Sequence, residues 1–551
     1  MTFFFLGTLA AIGPAPDSGP TPRASAPSAK SPLPYDQVRE DDLLAHAAFL
    51  ADDLLEGRAP GTRGGNLAAR YIAAQFAQIG LRPGGDEGSW FQQVPIIESV
   101  VEPSFSLRAR PVAGGAGREA RFAYGGDVVA FSGRATPKVD VDGEMVFVGF
   151  GIVAPEYKWD DYAGVDVKGK VVLVMVNDPP ATSEEPELFG GKALTYYGRW
   201  TYKYEEAARQ GAAGAVLIHT DESATYPWQV VESSWTGTQY AIEPPAGTPT
   251  LAIKAWMTDG AARKLAQLGG HDLDALRAAA SKRGARPTPL GVRVDGSIEQ
   301  RVIRKESPNV IGVLPGERTS EAIIYTSHYD HLGKREDATG KDTIYNGAVD
   351  NASGVAGMLE VADAFARAKA RPGRSVYFVA TTAEESGLLG AEYFAAHPPI
   401  SLDHFAANVN MDAMNVYGPT GDLVLLGADR STLGNVAAEV ARDWGRGLGE
   451  DQHPERGYFF RSDHFPLAKA GVPAVSYEDG SDFESVAAQR RSAAYNETDY
   501  HQPSDEVTSA WDLSGLVLDV RLLADLGWRA AALSGMPTYD ASDAFARPRT
   551  R

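Results

Sequence analysis

Beyond Asn309 the chain alternates short apolar runs with longer amphipathic stretches. Ala322–Thr326, Ser375–Thr381 and Ala407–Met411 read as buried strands. From Ser353 onward, Val355, Met358, Leu359 and Ala362 recur at helical spacing. A last amphipathic helix puts Leu516, Val520 and Leu523 on one face, ahead of a polar tail from Ser534. Strand–helix alternation of this kind predicts an α/β fold, a mainly parallel mixed sheet flanked by helices. Upstream, Leu43 to Ile79 is helical in period, interrupted by the turn signal Gly57-Arg58-Ala59-Pro60-Gly61. Between Phe122 and Thr250 the texture is short strands and frequent turns, as in Glu144–Val148, Lys170–Val176 and Ala213–His219, with a helix over Tyr202–Arg209. This predicts a β-rich insert at 122–292 within a unit formed by 35–121 and 293–535, followed by a tail at 536–551.

Composition narrows the chemistry. The 551 residues carry 52 basic and 72 acidic side chains, a formal charge of −20, which argues against a protein that neutralises nucleic-acid phosphates. Cysteine is absent, so a metal site must be built from His, Asp and Glu, and there are only ten histidines. Phe3–Ile12 resembles the apolar core of a secretory signal, although no basic residue precedes it; Gly13 to Pro34 reads as an extended linker. Residues 1–34 thus predict export, periplasmic or extracellular, and no later run is long enough for a membrane span.

Several motifs fail on context. Gly149-Phe-Gly-Ile-Val-Ala154 matches a loose dinucleotide fingerprint, but Pro155 follows at once and no helix opens there. Ser462-Asp463-His464 are adjacent and cannot form a triad, and no G-x-S-x-G elbow, H-E-x-x-H or Walker A sequence occurs.

What survives is a set of metal-binding side chains at predicted strand ends. His328 and Asp330 follow Ala322–Thr326, Glu384 and Glu385 follow Ser375–Thr381, and Asp412 follows Ala407–Met411. Asp350 lies in a Gly/Asn-rich loop before the helix from Ser353, and Tyr495–Asp505 supplies His501. In open α/β sheets ligands gather outside the carboxyl ends of strands, so these residues can converge. Singly, each has an ordinary structural role; a Glu-Glu pair, for example, commonly starts a helix.

Together, S-H-Y-D-H, N-G-A-V-D-N-A-S-G, T-A-E-E-S-G-L-L-G, N-M-D and D-Y-H-Q-P-S-D resemble the co-catalytic di-zinc M28 family of metallopeptidases, in that family's order. Leu50–Gly61 resembles the N-terminal segment of its bacterial members, and Asp160–Lys170 resembles a protease-associated (PA) domain; the likeness spans Tyr35 to Leu533. The resemblance implies a zinc exopeptidase fold and a zinc-dependent aminopeptidase acting on peptides. It implies two Zn²⁺ (or other divalent metals), one held by His328 and Asp412, the other by Glu385 and His501, with Asp350 bridging. Glu384 would be the general base, Asp330 would orient His328, and Asp505 would orient His501. It also implies a cis Asp350–Asn351 peptide. Two Zn²⁺ bring +4 and three ligand carboxylates −3, a balance suited to acidifying a water and polarising a carbonyl. His331 competes with His328, with a loop role as its alternative. His453, Arg461, His464 and Tyr495 are candidates for the substrate pocket or for packing. The rival activities are a carboxypeptidase for acidic dipeptides, a single-zinc glutaminyl-cyclase-like transferase, and a non-catalytic binding protein; the last would need a ligand or base to be missing.

Overall fold

A computed structural model describes residues 31–112, 119–224, 226–245, 247–335 and 342–547. The signal-like segment and most of the linker lie outside the described residues. The main sheet has the short strand Gln239–Ile242 outermost, then β1 (Phe91–Val101), β2 (Thr288–Leu314), β4 (Arg374–Thr381), β3 (Arg318–His328), β5 (Phe405–Asn410), β8 (Ala474–Glu478), β6 (Asp422–Leu426) and β7 (Gly447–Gly449). Its centre, β4-β3-β5-β8, is parallel, while β1, β2 and β6 pair antiparallel with their inner neighbours. Alternation of side chains sets its two faces. Ile323 and Tyr325 pack with helices Glu40–Leu50, Arg63–Ile79, Gly354–Ala366 and Ser514–Ala532; Ala322 and Ile324 pack with Phe394 and Leu467 from helices on the other side. Both faces are covered, which is why Val376–Ala380 of β4 is an unbroken apolar run and all eight residues of the strand are buried.

Helix Arg63–Ile79 shows how local sequence sets these elements. Thr62 accepts from the Gly65 amide at 3.2 Å and starts it. Ala69, Ile72, Ala73 and Phe76 form its buried stripe, and Gly80, at φ 93, ends it.

A second sheet holds Ser106–Pro111, Ala120–Ala123, Val128–Phe131, Lys138–Phe147, Val171–Met175, Gly214–His219 and Ile253–Thr258, together with the first half of β2. The chain therefore enters this sheet just after β1, ahead of the expected crossing at 121–122. It leaves inside β2, so the expected boundary at 292–293 falls within one continuous strand. The expected polar tail is also anchored: Tyr539 and Phe545 are buried, and Phe545 meets Phe459, Phe460, Phe465 and Tyr196. Among the described residues, no helix is long and apolar enough to cross a membrane.

Candidate metal centre

The parallel strands deliver their carboxyl ends to one place. His328 is the last residue of β3, Glu384 and Glu385 lie just past β4, and Asp412 lies just past β5. Asp350 joins them from the loop before helix Gly354–Ala366, and His501 from the loop after helix Val486–Thr498. The Asp350 carboxylate spans the two histidines, with Oδ1 3.2 Å from His328 Nε2 and Oδ2 3.3 Å from His501 Nε2. Asp412 Oδ1 lies 3.1 Å from His328 Nε2, and Glu385 Oε2 lies 3.0 Å from His501 Nε2. Glu384 shares the neighbourhood of His328 and Asp412. The centre is unevenly buried: the His328 side chain is 1% exposed, against 33% for His501 and 20% for Asp412.

The backbone is bent to aim these groups. Ala383, Ala413 and His501 adopt φ of 55, 46 and 57, the left-handed region that residues with a Cβ avoid. Such conformations persist where surrounding contacts over-determine them. Asn351 supplies several: its Nδ2 donates to Ser327 Oγ and Met411 O, each at 3.1 Å, and its Oδ1 accepts from Gly354 and Ala413 at 3.0 and 3.1 Å. The Asp350–Asn351 peptide is cis, as the resemblance implied. Gly347, at φ 55, lies so close to His331 that a Cβ would stand 2.6 Å from its ring, so a side chain there would push into the centre.

Two supporting contacts differ from expectation. His328 Nδ1 meets the backbone carbonyl of Asp330 at 3.1 Å, whereas the Asp330 carboxylate is 3.9 Å away and accepts instead from the Glu384 amide. Asp505 accepts the amides of Val349 and Asp350 at 2.9 and 3.1 Å and the Tyr495 hydroxyl at 3.1 Å, so it braces the Asp350 loop and not His501. Tyr495 thus props Asp505. His464 is buried against the edge of Phe459, and His453 is exposed beside Glu455.

Other groups carried little signal in the sequence. His331 is buried with Nδ1 2.6 Å from Glu385 Oε1, on the His501 side of the centre. Ser462 Oγ donates to Asp412 Oδ2 at 2.5 Å. Arg58, read as part of a turn within the Leu50–Gly61 segment, is 1% exposed and donates to the carbonyls of Leu50, Tyr329, Asn346 and Gly347. Burial pushes its pKa down to about 10, while Asp330, Asp505, Asp350 and Glu385 hold it up, so it remains a cation. Arg58→Met would orphan these buried carbonyls and remove the positive charge behind the carboxylates. A stability loss of about 3 kcal/mol or more is expected, read from the urea midpoint; a loss under about 1 kcal/mol would show that Arg58 holds nothing in place.

Electrostatically, the centre is built for cations. Burial disfavours charge on His328, yet Asp412, Glu384 and Asp350 outweigh it and push the imidazole well above its usual pKa. His501 moves up to about 10 because Glu385 and Asp350 likewise overcome its burial. Glu384 is pushed well above the carboxylate range by burial, reinforced by Glu385 and Asp412 and opposed by His328. His501 Nε2 is buried beside two carboxylates without hydrogen-bond geometry to either. Imidazole and carboxylate donors converging in this way, with His501 Nε2 and both His331 nitrogens orphaned, fit a divalent metal of zinc type.

The sequence profile of peptidase family M28 matches residues 309–521, the segment that carries every residue of this centre. Leupeptin-inactivating enzyme 1 of Streptomyces exfoliatus is 29% identical over 210 residues, 37% of this chain and 44% of that protein. Aminopeptidase YwaD of Bacillus subtilis is 25% identical over 372 residues, 65% of this chain and 62% of that one. The matches thus span less than two thirds of either relative. Among solved structures, an aminopeptidase from Aneurinibacillus sp. strain AM-1 superposes with a TM-score of 0.50 at 20% identity, over 90% of this chain and 95% of that one, and so shares the fold. Profile and fold agree with the strand-end centre: residues 309–521 match peptidase family M28, and the chain shares the fold of a solved aminopeptidase.

Proposed function

We propose that the chain is a two-zinc aminopeptidase that removes N-terminal residues from peptides. The observation carrying this is the Asp350 carboxylate, which offers one oxygen toward His328 and the other toward His501. His328 and Asp412 would hold one zinc, His501 and Glu385 the other, and Asp350 both. Bound there, zinc would supply Lewis acidity toward a water and the peptide carbonyl. The chain's own residues do the rest. Asp330, through its carbonyl, keeps the His328 Nδ1 proton in place and leaves Nε2 free to bind metal. Asp505 fixes the two amides that aim Asp350. The Glu384 carboxylate takes the proton of the attacking water and returns it to the leaving amine. The aminopeptidase assignment draws on the name of the Bacillus relative and on an acidic centre suited to a cationic N-terminus. The β-rich sheet would be a PA-like insert, and Phe3–Ile12 an export signal.

Zinc-loaded protein should release residues from amino-acid amides and free-amine peptides, lose this with chelator, and spare N-blocked peptides. Equal cleavage of N-blocked peptides would overturn the aminopeptidase reading. Metal loading should also displace protons. His328 and His501, raised in the metal-free protein, are charged at pH 7 and must become neutral to bind. Calorimetry in buffers of different ionisation enthalpy should therefore show about two protons released per protein at pH 7. Affinity should climb with pH until His501 titrates near 10. Fewer than about one proton released would mean that the histidines are neutral before metal arrives.

A further inference from the structure

Strand β8 ends on Glu478, a carboxylate that no step above uses. Register places it. β8 runs parallel to β5 with Ser476 beside Asn410, so Glu478 comes level with Asp412, two residues further along each chain. Neighbouring strands lie about 4.8 Å apart, which makes the two residues neighbours on the carboxyl edge of the sheet. Hydrogen bonds fix the face. Asn410 Nδ2 donates to Ser476 Oγ at 3.1 Å and to Ser462 Oγ at 2.8 Å, and Ser462 Oγ donates to Asp412 at 2.5 Å. Ser476 thus stands on the face that carries Asp412, and alternation returns Glu478 to it. Tyr477, between them, points to the opposite face, where its hydroxyl donates to Asp519 at 2.6 Å.

The setting of Glu478 calls for a cation. It is half-buried, and it lies outside both groups of donors that converge on the metal positions. Burial, then Asp451 and Asp412, raise its pKa to about 7, with no basic side chain among the charges acting on it. Arg461, next to Ser462, is engaged elsewhere: it donates to the Arg456 carbonyl at 2.7 Å and lies over the Tyr458 ring. A half-buried carboxylate acted on by two others is costly until something positive completes it. We propose that Glu478 selects substrates whose released residue carries a lysine or arginine side chain. This rests on the aminopeptidase reading above. In such a substrate the α-amine sits one carbon from the cleaved carbonyl, among the carboxylates of the centre itself. Glu478 is one strand spacing further out, within reach of the flexible four-carbon stem of lysine. A neutral side chain leaves it unpaired, and an acidic one meets repulsion.

The test compares the p-nitroanilides of lysine, arginine, norleucine and glutamate as substrates of zinc-loaded protein at pH 8. Norleucine matches the lysine stem and lacks the ammonium. Lysine should exceed norleucine in kcat/KM by about 10- to 100-fold, mostly through KM, with arginine similar and glutamate the poorest. Glu478→Gln should bring the lysine-to-norleucine ratio under about threefold, and Glu478→Asp, which keeps the charge, should restore most of it. A purely structural role would lower both substrates together, so an unchanged ratio in Glu478→Gln overturns the proposal. Equal turnover of lysine and norleucine by the wild-type protein also overturns it, and leaves the aminopeptidase reading standing. Cleavage of none of the four overturns that reading, and the selection with it.

Discussion

Glu384→Gln should leave metal content unchanged and lower kcat by about 10²- to 10⁴-fold, the usual worth of a positioned general base. The substitution keeps the shape and removes the basic oxygen. Glu384 is the carboxylate of the group that neither lies against a histidine nitrogen at 3.3 Å or less nor is braced by a neighbouring side chain. Its backbone is nevertheless fixed, through the amide that donates to Asp330 and the left-handed turn at Ala383. A held backbone with an uncommitted carboxylate is the arrangement a proton shuttle needs. Burial also raises its proton affinity, so a carboxylate made more basic meets the water proton. The measurement is kcat beside metal content by emission spectroscopy. Retention of more than about a tenth of the activity with metal bound would assign the base elsewhere.

The parts of the centre legible from the hydrophobic pattern are those that end strong apolar runs; Asp350 and His501, in loops, stood out only by residue type and motif. His328, Glu384, Glu385 and Asp412 follow strands buried on both faces, where the pattern is unambiguous. Their helpers were harder to read, because which amide or carbonyl a loop residue meets is a tertiary matter. Asp505 looks like a partner for His501 by proximity in sequence, yet the left-handed turn at His501 sends it to the Asp350 loop. Arg58 satisfies carbonyls up to 289 positions away, which no local pattern reports. The shift in texture at Asn309, downstream of the boundary expected at 292–293, has a cause within one strand. It is where β2 passes from one-sided to two-sided burial, from Ser307 to Gly312, within a single strand. The C-terminal segment looked polar because two isolated aromatics, Tyr539 and Phe545, anchor it, and two residues make no period.

Asp350→Ala should cost both metals together, whereas His501→Ala should cost one. Asp350 gives an oxygen to each histidine, so its loss removes a ligand from each position. It would also remove the negative charge that the two proposed dications need between them, since mutual repulsion at about 4 Å is severe in a buried site. Affinity at both positions should therefore fall by about 100-fold or more, beyond what loss of a supporting residue costs. The metal-free variant has a further signature. Asp350 is held far below the ordinary carboxylate range, against its burial, by the imidazoles of His328 and His501 beside it, so it is their counter-charge. Without it both imidazoles should titrate at lower pH, and protons displaced on zinc binding at pH 7 should drop below the wild-type number. Loss of a single metal with the second bound at wild-type affinity would remove Asp350 from the bridge and leave two separate sites, one around His328 and Asp412 and the other around Glu385 and His501.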